Sequence, residues 1–204
     1  MSEGAFSKDV LRMDYAAETE RLGAWLRATV KGQFRKRGVV VGLSGGIDSS
    51  AVAAISVNAL GADRVFGILM PERDSESDSL NLGRLLAEHL GIPYVTEELA
   101  PTLEALGCYE RRDEAIRTQV PAYGPGYKSK IVLPSVLEVE GYRLFSVVVE
   151  SPDGERTQAR LSPEAYFGIV AATNFKQRTR TMLEYYPADR LNFAVAGTPN
   201  LLEY

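Results

Sequence analysis

Scarce residue types set the first limits. The 204-residue chain has one cysteine, Cys108, one histidine, His89, and one tryptophan, Trp25. A lone cysteine excludes an intrachain disulfide and a cysteine-based zinc site. No histidine stands near Cys108 in sequence to activate its thiol, so it reads as a small, partly buried residue. No apolar run approaches the ~20 residues that a membrane-spanning helix needs. The opening MSEGAFSKDV has neither the basic start nor the apolar run of a signal peptide. A basic excess is missing too: 23 Lys and Arg stand against 27 Asp and Glu, a net charge of -4. That balance argues against a general nucleic-acid binder and leaves room for a local basic patch that holds a polyphosphate. The expectation is a cytoplasmic protein with neither a membrane nor a nucleic acid as partner.

The remaining composition is that of a globular protein, with 45% hydrophobic and 25% charged residues. Apolar residues Tyr15, Leu22, Trp25, Leu26, Val30 and Phe34 recur at helical spacing and predict one amphipathic helix from Asp14 to Phe34, with Trp25 in the core. Val39 to Leu43 is short, apolar and rich in β-branched residues, which suits a strand buried on both faces of a parallel sheet. A helix from Ala51 to Leu60, a strand from Arg64 to Met70, a helix from Ser79 to Leu90 and a strand from Pro93 to Glu97 follow. Gly61 and Gly91 close the two helices. Strands alternating with helices predict an α/β fold with a doubly wound parallel sheet.

After Gly107 the pattern changes. A short helix is expected from Glu110 to Val120, then a Pro- and Gly-dense loop from Pro121 to Tyr127. Three strand-like runs come next, Lys130 to Leu137, Tyr142 to Glu150 and Glu155 to Leu161, the last two joined by the turn residues Ser-Pro-Asp-Gly at 151–154. They predict an antiparallel β-meander inserted into the α/β domain over 127–161, either an interaction or lid element or a solvent-facing decoration. Ser162 and Pro163 then start a helix that should run to Tyr186 and end at Pro187, before a last strand from Leu191 to Ala196.

The chemistry is concentrated in one loop. Ser44-Gly45-Gly46-Ile47-Asp48-Ser49-Ser50 follows the first strand directly and opens a helix. Glycines let backbone approach phosphate oxygens, and backbone N–H groups with the helix dipole favour an anion there. Ser44, Ser49 and Ser50 supply hydroxyls. Asp48 makes sense in an anion site if it holds Mg²⁺. The loop is neither the Gly-x-x-x-x-Gly-Lys P-loop nor the three-glycine dinucleotide fingerprint.

This heptapeptide resembles the PP-loop of the ATP pyrophosphatases, the superfamily of NAD, GMP and asparagine synthetases and of tRNA-thiolating enzymes, with their adenine nucleotide alpha hydrolase-like fold. Three further stretches resemble the NAD synthetase (NAD+ synthase) family in particular. Ile68 to Ser75, with Met70-Pro71, is similar to a segment that lies near the adenine. Asn174 to Tyr186 is similar to that family's helix with the pattern Asn-Ile-x-x-Arg-x-Arg, which Arg178 and Arg180 match. Gly197-Thr198-Pro199-Asn200-Leu201-Leu202-Glu203 is similar to its Gly-Thr-x-Asn-x-x-Glu, whose acidic residue helps hold metal and nucleotide. The resemblance implies one NAD synthetase-like domain over 1–204 that lacks the C-terminal Gly-rich and acidic segment, helix and lysine of that family.

The resemblance also implies an amide ligase that uses ATP and Mg²⁺. Ser44, Gly45, Gly46, Ile47, Asp48, Ser49, Ser50, Met70 and Thr198 would bind nucleotide. Asp48, Arg178 and Arg180 would serve catalysis, and Asp48 and Glu203 would hold metal. Its substrates would be ATP, deamido-NAD and ammonia, the last free or delivered by a separate glutaminase, and a homodimer is expected by the same analogy. Two other readings stand beside it: a PP-loop carboxylate amidotransferase with another acceptor, and a non-catalytic ATP-binding subunit.

Overall fold

The computed structural model describes residues 12–75, 78–133 and 144–198. The chain divides into two compact units, Met1–Glu98 with Thr181–Tyr204, and Leu99–Arg180.

The first unit is built on a four-stranded parallel sheet. Its strands are β1 (Val39–Gly42), β2 (Val65–Leu69), β3 (Tyr94–Thr96) and a strand near the chain's end, Ala194–Ala196. The order is β3, β2, β1 and then the late strand, so β1 is interior. Register pairs Val39 with Val65 on one side of β1 and with Ala194 on the other. Helices α1 (Tyr15–Arg27), α2 (Ile47–Leu60) and α3 (Ser79–Leu90) complete the unit together with the end of a long late helix. Alternation along the strands divides the core. Val39, Val41, Leu43, Val65 and Leu69 pack with Val30, Ala53, Ala59, Leu60 and Ala87. Val40 and Ile68 pack instead with Leu183 and Ala188 of the late helix. Successive strand residues point to opposite faces, so the all-apolar Val39-Val40-Val41 serves both layers. The doubly wound parallel sheet expected from the sequence is present.

Helix ends follow local chemistry. Asp14 caps α1 by accepting from the N–H groups of Ala16 (3.1 Å) and Ala17 (3.0 Å). Gly91 closes α3 with φ +66°, and the Ile92 N–H donates to the Ala87 carbonyl at 3.1 Å. That pattern is a Schellman turn, which favours glycine because a left-handed residue without Cβ costs little.

The first helix departs from expectation. α1 stops at Arg27, and Ala28–Gln33 continues as a π-helical turn in which the Phe34 N–H donates to the Thr29 carbonyl. Trp25 is not core: it is 59% exposed and Phe34 58%. Both line an apolar groove of about 280 Å³ with Leu22, Leu26, Val52 and Ile55. The apolar stripe that the spacing reveals is real, but only its Val30 edge is fully buried.

The second unit holds α4 (Ala100–Ala105), α5 (Cys108–Arg117), β4 (Lys128–Val132), β5 (Ser146–Glu150), β6 (Arg156–Arg160) and the start of α6 (Pro163–Leu191), which crosses into the first unit and leads to β7 (Ala194–Ala196). No periodicity announced the six-residue α4. β4, β5 and β6 form the expected antiparallel meander, with Val148 opposite Lys130 and Gln158. Arg156 donates to Glu150 at 2.7 Å across the hairpin, and that bond holds the Glu150 carboxyl below the usual carboxylate range. The middle strand of the meander is packed on its own unit. Val147 and Val149 are buried against Ile116, Val120, Tyr123, Leu161, Ala165 and Ile169. Cys108 is fully buried, and its thiol donates to the Ala172 carbonyl at 3.3 Å.

Pro187 does not end α6. The Ser162 hydroxyl caps the helix start as expected, accepting from the Ala165 N–H at 3.1 Å. The helix then passes through Pro187 to Leu191. Proline inside a helix removes one hydrogen bond, yet Leu183 and Ala188 on either side of it pack against Val40 and Ile68. Tertiary packing outweighs the local break. The stop comes at Asn192, φ +55°, where the Phe193 N–H donates to the Ala188 carbonyl at 2.8 Å.

Close packing of α3 on the sheet depends on Gly83. A Cβ at that position would overlap the buried Leu69 side chain and lie 3.3 Å from the Leu43 carbonyl oxygen. Gly83→Ala should therefore destabilise the protein by ~1–3 kcal/mol. Gly32→Ala, where nothing lies within 4 Å of the new methyl, should be neutral or stabilising by up to ~1 kcal/mol. Urea denaturation midpoints for the two variants check both signs. Equal midpoints would show that α3 shifts freely on the sheet.

Candidate nucleotide site

The Ser-Gly-Gly loop lies at the carboxyl end of β1. β2 pairs with one side of β1 and β7 with the other. The chain leaves β1 toward β2 and returns much later on the opposite side, so this end of the sheet is a topological switch point. Open α/β sheets place their ligand crevice at such points.

Gly45 adopts φ +76°. A Cβ there would lie 2.6 Å from the Ser79 carbonyl oxygen and 3.1 Å from Leu82 Cβ, so the start of α3 fits against the loop only because this residue is glycine. Gly46 is the N-cap of α2 and gives it no side-chain cap. The first N–H groups of a helix have no intrahelical acceptor. Here they open at the loop under the positive end of a 14-residue helix.

The loop serines tie it together. Ser49 is buried at 3% exposure. Its hydroxyl donates to the Gly46 carbonyl at 3.0 Å and accepts the Ser44 N–H at 3.3 Å. Ser44 Oγ lies 3.0 Å from Ser49 Oγ and accepts the Gly46 N–H at 3.2 Å. With Ser44 donating to Ser49, every hydroxyl proton in the ring has an acceptor. Ser50 donates to the Gly46 carbonyl at 2.8 Å. The three hydroxyls are thus engaged inside the loop, and the backbone N–H groups at the start of α2 are the donors aimed outward. Asp48 is exposed in the first helical turn, and Ile47 beside it is 83% exposed.

Other residues of interest share this edge. Half-buried Met70 directly follows β2. Half-buried Thr198 lies two residues beyond β7. The parallel register, with Gly42 opposite Ile68 and Val41 opposite Ala196, brings both to the carboxyl side with the loop. Arg178 and Arg180 lie on α6 in the second unit, the first exposed and the second half-buried, with buried Thr179 between them. Residues two apart on a helix do not share a face, so these two guanidinium groups diverge. Glu203 lies outside the described residues. Among the described residues no three His, Cys, Asp or Glu side chains gather as a metal cluster.

Two residues at this edge carry no motif of their own. Gly83 lets α3 approach, and a Cβ on it would lie 3.7 Å from the Gly45 backbone nitrogen. Glu184, on the first-unit part of α6, sets its carboxylate against Gly42. Only the folded chain puts either beside the loop.

Comparison with known proteins agrees with this geometry. Residues 18–120 match the family model described as NAD synthase. An NH3-dependent NAD+ synthetase of Rhizobium meliloti (strain 1021) is 58% identical over 199 residues, which are 98% of this chain and 59% of that protein. One of Mesorhizobium japonicum is 55% identical, over 96% of this chain and 61% of that protein. The solved NH3-dependent NAD synthetase of Campylobacter jejuni, in complex with nitrate, superposes with a TM-score of 0.58 at 26% identity, covering 92% of this chain and 58% of that one. The chain therefore spans about three-fifths of the length of these relatives. With a parallel sheet, a Ser-Gly-Gly loop at its switch point and a family match over half its length, the chain belongs to the NAD synthase family.

Proposed function

We propose that this chain carries the nucleotide site of an ATP-dependent amide ligase that converts deamido-NAD to NAD. The observation that carries the reading is the loop at the carboxyl end of β1, with outward N–H groups at the start of α2 and a left-handed Gly45. It is supported by relatives named NH3-dependent NAD+ synthetase.

A carboxylate is a poor electrophile and must be activated before ammonia can displace oxygen. In this reading a carboxylate oxygen of deamido-NAD attacks the α-phosphorus of ATP. The bond from that phosphorus to the bridging oxygen breaks, and pyrophosphate leaves. Ammonia then adds to the acyl carbon, the bond to AMP breaks, and one proton goes to solvent. The residues that would do this work are Ser44 to Ser50 as the pyrophosphate cradle, Met70 against the adenine and Thr198 beside the nucleotide. Arg178 or Arg180, which do not share a face of α6, would offset charge on the leaving pyrophosphate. Holding the reactants in one geometry is the larger contribution, since positioning can supply ~7–11 kcal/mol of a barrier.

Mg²⁺ fits the residues present. The ion binds through one or two carboxylates plus phosphate oxygens, and Asp48 is exposed in the helical turn beside the cradle. Asp48, with Glu203, would hold it, and when bound it would neutralise phosphate charge. The same family reading supports a cytoplasmic homodimer that uses free ammonia or ammonia from a separate glutaminase.

Gly45→Ala should weaken pyrophosphate and ATP binding at least tenfold, about 1.4 kcal/mol. The left-handed backbone disfavours alanine, and the methyl meets the start of α3. Calorimetry with pyrophosphate checks it; unchanged affinity would remove the loop from the site.

Asp48→Asn should abolish most of the Mg²⁺ dependence of ATP binding and leave the urea midpoint nearly unchanged. Titrations with Mg²⁺ and with excess chelator decide the point. Wild-type ATP affinity that is equal in both would make Asp48 a helix-end charge only.

The activity itself is tested by AMP release in the presence of deamido-NAD, ammonia and Mg²⁺, with AMP and NAD expected in equal amounts. ATP binding without AMP release would favour the binding-subunit reading.

A further inference from the structure

Two large apolar side chains stand beside the N–H donors at the start of α2. Ile47 is the first residue of that helix and is 83% exposed. Leu82, on α3, is 50% exposed. A Cβ on Gly45 would lie 3.1 Å from Leu82 Cβ, so Leu82 stands against the phosphate loop itself. Leu85, one turn further along α3, is 63% exposed and is not among the atoms nearest to Gly45 or Gly46. No role assigned so far uses Leu82.

A single exposed leucine is ordinary. What sets Leu82 and Ile47 apart is the loop they adjoin. Neither can give an anion a hydrogen bond, and neither can hold a cation. Their effect on an anion is through water. Backbone N–H groups attract a phosphate more strongly where the local dielectric is low, and salt screens the attraction where solvent reaches it. Once a phosphate occupies the donors, apolar side chains at the rim displace the water that would otherwise compete for it. Part of their own surface leaves water in the same step, which favours the bound state. We propose that Leu82, together with Ile47, forms an apolar rim that shields the bound polyphosphate from water and salt. Leu82 thus acts on the surroundings of the donors and makes no bond to the ligand.

The proposal rests on the phosphate-loop reading above, and its test separates the two. Dissociation constants for pyrophosphate are measured by calorimetry at low salt (about 0.05 M) and high salt (about 0.5 M). The proteins are the wild-type chain, Leu82→Ala, Leu82→Asn, Leu82→Met and Leu85→Ala. Alanine keeps the Cβ that meets Gly45 and removes only the branch beyond it, so the packing of α3 on the loop is retained. Leu82→Ala should weaken binding about fivefold and make it more sensitive to salt. Leu82→Asn, close to leucine in size but polar, should bind as weakly as alanine, and Leu82→Met should bind like the wild type. Leu85→Ala should change neither affinity nor salt dependence. Asparagine and methionine bracket the size of leucine, so the comparison does not depend on the alanine variant alone. Unchanged affinity in Leu82→Ala overturns the proposal. Recovery by asparagine overturns it too, since shape and not apolarity would then matter, and so does a loss with no change in salt dependence. An equal loss in Leu85→Ala would make the effect a general one of α3 and has the same consequence. A wild-type chain that binds no pyrophosphate at either salt overturns the loop reading and this proposal with it.

Discussion

The carboxyl end of β1 can be approached from two sides because side chains are missing there. Gly45 and Gly83 let α3 close on the loop and on Leu69, and Gly42 lets Glu184 of α6 close on the strand end. Interiors are packed so densely that one added methyl must displace something. At Gly45 the obstacle is backbone, and at Gly83 it is a buried leucine and a carbonyl oxygen. The helix that rises from the loop, the strand that feeds it and the two helices that wall it are therefore positioned together.

The loop's electrostatics follow from its internal bonds. Ser44, Ser49 and Ser50 direct their hydroxyls into the loop, which holds Gly46 at the start of α2. What remains pointing outward is backbone N–H at a helix N-terminus, a site suited to an anion in a chain whose net charge is -4. Asp48 adds negative charge at the start of α2, which is understood if it faces a cation.

The second unit has its own logic. β5 is its central strand and buries Val147 and Val149 against α5 and α6. Around buried Tyr109 two cations gather, Arg112 at 5.8 Å and Lys176 at 5.6 Å from the ring, and Arg112 also binds Asp113 at 2.8 Å. Such contacts keep long basic side chains in place where water is partly excluded.

Local rules made much of the first unit legible from sequence. The β-branched run of β1, the glycines after α2 and α3, the Ser-Pro start of α6 and the loop motif itself each depend on nearest neighbours or on one period of structure. Other features depend on contacts between distant segments. Pro187 continues a helix because Leu183 and Ala188 are held on the sheet. Trp25 stays exposed because the groove it lines is open, although its spacing is that of a core residue. Arg178 and Arg180 read as a pair in sequence but diverge on the helix. Gly83 stands 38 residues after Gly45 in the chain and no local pattern marks it, while Glu184 falls within the Asn174 to Tyr186 stretch without matching the residues that define its pattern. The sequence by itself determined the elements and the phosphate loop, because hydrogen bonding and hydrophobic period act over a few residues. Only the tertiary structure decided which side chains meet at the loop, because close packing is settled between elements far apart in the chain.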